Sequence, residues 1–276
     1  MASQADKAES LRALHHGATP LLLPNAWDAG SAALFARRNF TAIATTSGGM
    51  GWSLGYADGE QAPLDEILAG IRRIARVIGD LPLTVDFESG YGSTPAAVAE
   101  HVRAVIDAGA VGINLEDSLP GHGPLRSLSE SAARIAAARE AASACGVPIV
   151  INARMDCWMQ AGDERGRFDA ACARGRAYLA AGADCLFPIG LTDTATLGRL
   201  VRELKAPISV AAGPAMPDRD ALAALGIARI STATRFATLA LDALDRAAAE
   251  WLAHGLGDSL AATFSYADAQ ALFASE

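Results

Sequence analysis

Three carboxylates and one arginine stand in short apolar runs where solvated charges do not belong: Asp86 and Glu88 in LTVDFE, Glu116 in GINLED, and Arg154 in PIVINAR. In a strand, residues i and i+2 share a face. Thr84, Asp86 and Glu88 therefore point one way, opposite Leu83, Val85 and Phe87, and Asn114 with Glu116 lies opposite Ile113 and Leu115. In the third run Asn152 and Arg154 lie opposite Ile149, Ile151 and Ala153. Gathering Asp86, Glu88 and Glu116 would raise their pKa values by desolvation and mutual repulsion, unless Arg154 or a cation offsets the charge. A divalent ion is the economical answer. Oxygen-only ligation with several waters favours Mg²⁺, with Mn²⁺ able to substitute; the competing reading is a set of salt bridges at a strand end. The planar fork of Arg154, read as the one arginine on an inward strand position, suits a substrate carboxylate and could equally pair with Glu116. Ser47, Gly48 and Gly49 close another apolar run, where glycines let backbone N–H groups approach an anion; a plain turn is the alternative there.

Something must hold these groups together. Eight β-like runs recur near 21–26, 42–47, 83–88, 112–117, 148–154, 185–190, 207–213 and 229–234, each followed by an Ala/Arg/Leu-rich helical stretch. Alternating strands and helices are the pattern of right-handed βαβ units, and eight units in this length suit a closed parallel β/α barrel of the TIM type, an open doubly wound sheet being the alternative. Thr94-Pro95 supplies a helix start, and Gly109, Gly146, Gly182 and Gly226 stand where helices should stop. The expectation is α/β, one barrel domain over residues 1–276, with C-terminal helices in 235–274. That tail, read as helices over 239–256 and 259–273, carries Trp251, Leu252, Phe264 and Phe273. It either covers a partner subunit or packs on its own barrel.

Composition narrows the partners. The net charge of −8, and lysines only at positions 7 and 205, exclude the clustered cations that hold nucleic acid. No run approaches a membrane span, the N-terminal segment has no signal-peptide core, and the four cysteines form no C-x-x-C, so a cytoplasmic protein with reduced thiols is expected.

Read in order, NAWDAGSA from Asn25, TTSGG from Thr45, SLGYADGE from Ser53, VDFESGYG from Val85, INLEDS from Ile113 and INARMD from Ile151 resemble the isocitrate lyase/phosphoenolpyruvate mutase superfamily. The resemblance implies a modified barrel whose last helix is exchanged between subunits of a dimer or a dimer of dimers. It also implies Asp86 as the direct metal ligand, with Glu88 and Glu116 acting largely through water. Asp58 corresponds to the acid of the loop after strand two, Arg154 to the arginine that binds the substrate carboxylate, and Ser47, Gly48 and Gly49 to the carboxylate-binding turn. Two positions depart from the pattern. Glu88 stands where many members carry Asp, and the loop SLPGHGPLRS, Ser118 to Ser127, lacks both the cysteine of the isocitrate-type lyases and the lysine of the phosphonopyruvate enzymes. His122 is the titratable residue of that loop, either an acid or base that closes over the site or an exposed histidine with no role.

The resulting expectation is a lyase acting through an enolate on a small 2-oxo or 2-hydroxy di- or tricarboxylic acid, oxaloacetate-like or methylisocitrate-like, by C–C cleavage or decarboxylation. Phosphonopyruvate mutase or hydrolase chemistry at a P–C bond is the alternative. Schiff-base chemistry is excluded because neither lysine is on an inward strand. Gly51 to Gly55 matches G-x-S-x-G, but Ser53 is read as lying in a loop beyond its strand, the wrong context for a nucleophile elbow. A non-catalytic 2-oxo acid binding protein on the same scaffold is the third reading.

Overall fold

A computed structural model describes residues 2–121, 123–255 and 257–274. In chain order the elements are α1 (Gln4–Leu14), β1 (Leu21–Leu23), β2 (Asn25–Ala26), α2 (Ala29–Arg37), β3 (Ile43–Thr45), α3 (Ser47–Leu54), α4 (Leu64–Ile78), β4 (Leu83–Asp86), α5 (Pro95–Asp107) and β5 (Gly112–Glu116). They continue with α6 (Leu128–Ala144), β6 (Val150–Met155), α7 (Glu164–Ala180), β7 (Cys185–Pro188), α8 (Thr194–Leu204), β8 (Ser209–Ala211), α9 (Arg219–Ala224), β9 (Arg229–Ser231), α10 (Arg235–His254) and α11 (Tyr266–Ala271).

All strand pairings between these elements are parallel, in the orders β2-β3-β4-β5-β6-β7 and β1-β9-β8. Two joints close these sets into a barrel. Pro24, which has no N–H to give a ladder, divides the first strand, so that β1 pairs with β9 and β2 with β3. On the other side a single bridge, Leu186 to Ile208, ties β7 to β8. The first expected strand, 21–26, is thus two short ones.

Ile43, Leu83, Val85, Ile113, Ile149 and Ile151 are fully or almost fully buried between barrel and helices. The amphipathic α4 shows why: Ile67, Leu68, Ile71, Ile74 and Ile78 recur at the helical period and face the sheet, while Arg72, Arg73 and Arg76 stay on the surface side. Below the barrel, α1 plugs the floor. The side chain of Leu11 reaches Gly112, where a Cβ would come within 2.8 Å of it.

The barrel interior is more polar than the inward strand positions alone suggest. Arg229 at the start of β9 is buried and donates from Nη2 to Asn114 Oδ1 at 3.1 Å, so Arg154 is not the sole inward arginine. The tail also differs from expectation. Instead of a second helix over 259–273 there is a 3₁₀ turn, Gly257–Leu260, and the short α11, whose start is fixed by a capping box between Ser265 and Asp268.

Candidate active site

The C-terminal ends of β3 to β6 bring Ser47, Asp86, Glu116 and Arg154 to one rim. Asp86 ends β4 and is gripped from two neighbours. Ser47 donates from N (3.3 Å) and Oγ (3.0 Å) to Oδ2, and Asn114 Nδ2 approaches Oδ1 at 3.3 Å. Asn114 can present its amine in that direction because its Oδ1 is already committed to Asn152 Nδ2 (2.8 Å) and Arg229 Nη2.

Ser47-Gly48-Gly49 is not a loop turn but the first turn of α3, capped by Thr46 and ended by Gly55 in the left-handed region. The positive end of that helix faces Asp86 through Ser47, whose N–H and hydroxyl both donate to that acid. A Cβ at Gly49 would stand 2.8 Å from Trp27 Cβ, and one at Gly48 would lie 3.1 Å from the Thr234 methyl and 3.2 Å from Asp58 Oδ2. Gly48 therefore leaves the space into which Asp58 folds. Asp58 Oδ1 is buried without a hydrogen-bond partner among the described residues. Ser53 lies inside α3 with its hydroxyl donating to the Met50 carbonyl at 2.8 Å, so the expected loop at Ser53 is a helix and no strand-to-helix elbow presents it.

Glu88 is off the strand. β4 stops at Asp86, and Glu88 has φ +49 in a turn that also holds Gly90 (φ +94) and Tyr91 (φ +53). Its carboxylate accepts from Tyr91 Oη at 2.7 Å and from the Glu60 N–H at 2.6 Å. Burial, reinforced by Asp86 and Asp58, pushes Glu88 up to about 7 against those two hydrogen bonds.

Arg154 is shared. Nε and Nη2 fork onto Asp156 at 2.7 and 2.9 Å, and Nη1 meets Glu116 Oε2 at 2.6 Å. The fork expected for a substrate carboxylate is thus taken up by Asp156, a residue the alternation rule puts on the same face two positions on. One cation between two buried acids cannot satisfy both. Burial, with Asp156, Asp86 and Glu88 adding repulsion, drives Glu116 up to about 8 despite Arg154. Burial works against the charge of Arg154, but Glu116 and Asp156 outweigh it and raise that group further. Ser118 Oγ donates to Asp156 Oδ2 at 2.7 Å and lies 3.3 Å from Glu116 Oε1.

Asn152 sits one layer beneath the mouth, fully buried, with Nδ2 given to Asn114 and Oδ1 unpartnered among the described residues. It supports Asn114 rather than facing the opening. His122 lies outside the described residues. Gly59 and Gly121 touch backbone to backbone, since a Cβ at Gly59 would stand 2.6 Å from Gly121 Cα.

Among the described residues no three metal-ligating groups converge as a direct cage, so Asp86, Glu88 and Glu116 do not jointly ligate one point. Glu88 and Glu116 are held by their own donors. The residues do fit an ion bound directly by Asp86 and otherwise through water. Asp86, Glu88, Glu116 and Asp156 gather where Arg154 and, through Asp86, Arg229 are the cations that act on them, burial pushes Glu88 and Glu116 up, and Asp58 Oδ1 has no donor among the described residues. Beside the site a cavity of about 410 Å³ opens over β7 and β8, walled by Ile189, Leu191, Ala211, Met216 and Thr234, with Arg235 as its charged member.

Sequence reasoning missed Asp156, Glu60, Tyr91, Ser118 and Arg229. The i, i+2 rule could have found Asp156 and the position of Ser118 after Glu116. Nothing in the spacing marks Glu60 or Tyr91, whose partners are reached only through the turn at 88–92.

Comparison with known proteins agrees with this geometry. The family model for phosphoenolpyruvate phosphomutase matches residues 11–252. The 2-methylisocitrate lyase of Escherichia coli is 35% identical over 195 residues, 68% of this chain and 64% of that one. A Burkholderia cenocepacia crystal structure, provisionally designated a phosphonomutase, is 41% identical with a TM-score of 0.85, covering 92% of this chain and 100% of its own. The crystal structure of 2,3-dimethylmalate lyase, a member of the phosphoenolpyruvate mutase/isocitrate lyase superfamily, is 25% identical with a TM-score of 0.84, over 96% of this chain and 94% of that one. The chain belongs to the phosphoenolpyruvate phosphomutase family and is an enzyme of the phosphoenolpyruvate mutase/isocitrate lyase superfamily.

Proposed function

We propose that the chain is a Mg²⁺-dependent lyase, with Mn²⁺ able to substitute, that breaks a C–C bond or removes CO₂ from a small 2-oxo or 2-hydroxy di- or tricarboxylic acid through an enolate. The observation that carries this reading is the gathering of Asp86, Glu88 and Glu116 at one rim, where burial first and the neighbouring acids second push Glu88 up to about 7 and Glu116 up to about 8. A divalent ion held by Asp86 and, through water, by Glu88 and Glu116 supplies, when bound, positive charge opposite a developing enolate oxygen.

The chain's own residues supply the rest. Arg154 keeps its positive charge at the rim because two acids favour it, and Nη1 is the nitrogen not committed to Asp156 in the fork. The first turn of α3 adds its N-terminal field next to Asp86. Asp58, with Oδ1 out of water and without a donor among the described residues, is placed to take or return a proton. Ser118 and Asp156 fix the rotamers of Glu116 and Arg154.

The neighbouring cavity bears on the substrate. Its wall is largely apolar, and the Nε of Arg235 is already given to the Ala212 carbonyl at 2.7 Å. The apolar part of that wall suits a small leaving part, as in an oxaloacetate-like or alkyl-malate-like compound, and the Arg235 guanidinium can still meet an anionic one, as in a methylisocitrate-like compound. P–C chemistry is the second reading, favoured by the family model and by the Burkholderia cenocepacia relative.

We also propose a homo-oligomer, a dimer or a dimer of dimers, assembled through α10, and a cytoplasmic location; among the described residues no helix is long and apolar enough to cross a membrane. The test of the activity is a panel of oxaloacetate, isocitrate, methylisocitrate, 2-hydroxy dicarboxylates and phosphonopyruvate, assayed with Mg²⁺ for pyruvate, glyoxylate or CO₂. Activity abolished by EDTA and restored by Mg²⁺ is expected. Full turnover in metal-free protein would refute the metal reading, and product from phosphonopyruvate alone would select the second.

A further inference from the structure

Glu60 is the residue that the proposed reaction does not use and the geometry singles out. It follows Asp58 by two positions and sits at φ +60, a backbone conformation that costs a side-chain-bearing residue about 1 kcal/mol. Its carboxylate oxygen Oε1 accepts three hydrogen bonds from a segment some thirty positions away: Ser89 N at 2.9 Å, Ser89 Oγ at 2.7 Å and Tyr91 N at 2.9 Å. In the same stroke its own N–H donates to Glu88 Oε2 at 2.6 Å.

The segment so held is the turn that presents Glu88. Three of its residues, Glu88, Gly90 and Tyr91, are left-handed, and two of those carry side chains, so the turn needs outside support to persist. It has support from both sides. Glu60 takes its N–H groups, while the buried Arg134 donates from Nη2 to the carbonyls of Ser89 (2.5 Å) and Gly92 (2.7 Å). Arg134 serves only the carbonyls. Without the Glu60 carboxylate the amides of Ser89 and Tyr91 and the Ser89 hydroxyl lose this partner together, while the main-chain N–H of residue 60 still reaches Glu88.

We propose that Glu60 is a positioning residue for the candidate metal site: it fastens the Asp58 loop to the turn after β4 and thereby fixes the carboxylate of Glu88 over Asp86. The metal role of Glu88 rests on the reading given under Proposed function; the strap itself does not. Since the contacts are made by one carboxylate and one N–H of the same residue, the Asp58 loop and the turn that carries Glu88 are held in register by a single residue.

The test compares Glu60→Gly, which relieves the left-handed backbone and deletes the carboxylate half of the strap while keeping the N–H to Glu88, with Glu60→Gln, which keeps an acceptor oxygen. Two measurements are made on full-length protein, hydrogen exchange of the segment containing the Ser89 and Tyr91 amides, and Mn²⁺ affinity by calorimetry or electron paramagnetic resonance. In Glu60→Gly both amides should exchange about tenfold or more faster and Mn²⁺ should bind about tenfold more weakly, with a wild-type fold by circular dichroism; Glu60→Gln should recover most of both. Wild-type exchange in Glu60→Gly overturns the proposal. So does faster exchange with unchanged Mn²⁺ affinity, which would make the strap structural only. If wild-type protein binds no Mn²⁺, the metal reading fails while the exchange result still decides whether Glu60 holds the turn. Should Glu60→Gly not fold, Ser89→Ala, which removes one of the three donors, takes its place with a smaller shift in the same direction.

Discussion

The rim of β3 to β6 and the C-terminal tail are opposites in how they finish their contacts. At the rim nearly every polar side chain has a partner within the chain: Asp86 with Ser47 and Asn114, Glu88 with Tyr91 and Glu60, Arg154 with Glu116 and Asp156. In the tail, apolar side chains stand in water. Leu244 is 66% exposed, Leu252 87% and Trp251 55%, against the few per cent typical of the core. The first region matches the proposed cation, and the second the proposed subunit contact. A polar group buried without a partner costs several times what an exposed leucine does, so the rim tolerates far less imprecision than the tail.

Replacing Asp86 is the most severe way to probe this contrast. Asp86→Asn keeps the size and the hydrogen-bonding reach to Ser47 but removes the charge, and turnover of whichever substrate the panel identifies should fall at least about a thousandfold with a native circular dichroism spectrum. Retention of more than a tenth of wild-type activity would show that the rim works without its central acid. In the tail, Leu244→Asp combined with Leu252→Asp should shift the particle mass measured by light scattering from a multiple of the chain to a single chain. A wild-type protein that is already monomeric would instead show the exposed face to be bare in solution.

The smallest effect concerns pH. Glu88 and Glu116 hold their protons more tightly when folded than the usual carboxylate does, so the folded state binds more protons than the unfolded one between about pH 4.5 and 8. In metal-free protein these two groups therefore subtract stability as pH rises through that window. A cation at the rim removes the penalty. The increase in Tm produced by Mg²⁺ should accordingly be larger at pH 8.5 than at pH 6, by a few degrees; an equal or reversed increment would place the ion elsewhere.

Much of the barrel was legible because parallel strands buried on both sides leave long apolar runs, and because i, i+2 spacing sets apart Asp86, Glu116 and Arg154 as inward groups. The misses have local causes. SGGMGWSL looks like a turn because glycines are poor helix formers, yet the Thr46 cap, the left-handed Gly55 and the tight seat of Gly49 against Trp27 make it α3. Glu88 reads as strand from its spacing, but left-handed backbone is invisible to a two-residue period. Glu60 makes its bonds largely to main-chain N–H groups, which carry no side-chain signature, and so could not be read beforehand. Arg229 opens a three-residue strand, too short for alternation to declare its face.

The two joints described for the barrel are uneven in strength. At one, the chain runs unbroken from β1 to β2 and simply changes neighbour at Pro24, so covalent bonds span it. At the other, a lone bridge at Ile208 is followed by the prolines' legacy: Pro188 and Pro207 bring no amide hydrogen to the interface. If the cylinder is strained by heat or denaturant, it should unzip lengthwise between β7 and β8, where the fewest main-chain bonds must rupture, and the acids on the far wall would be the last to lose their scaffold.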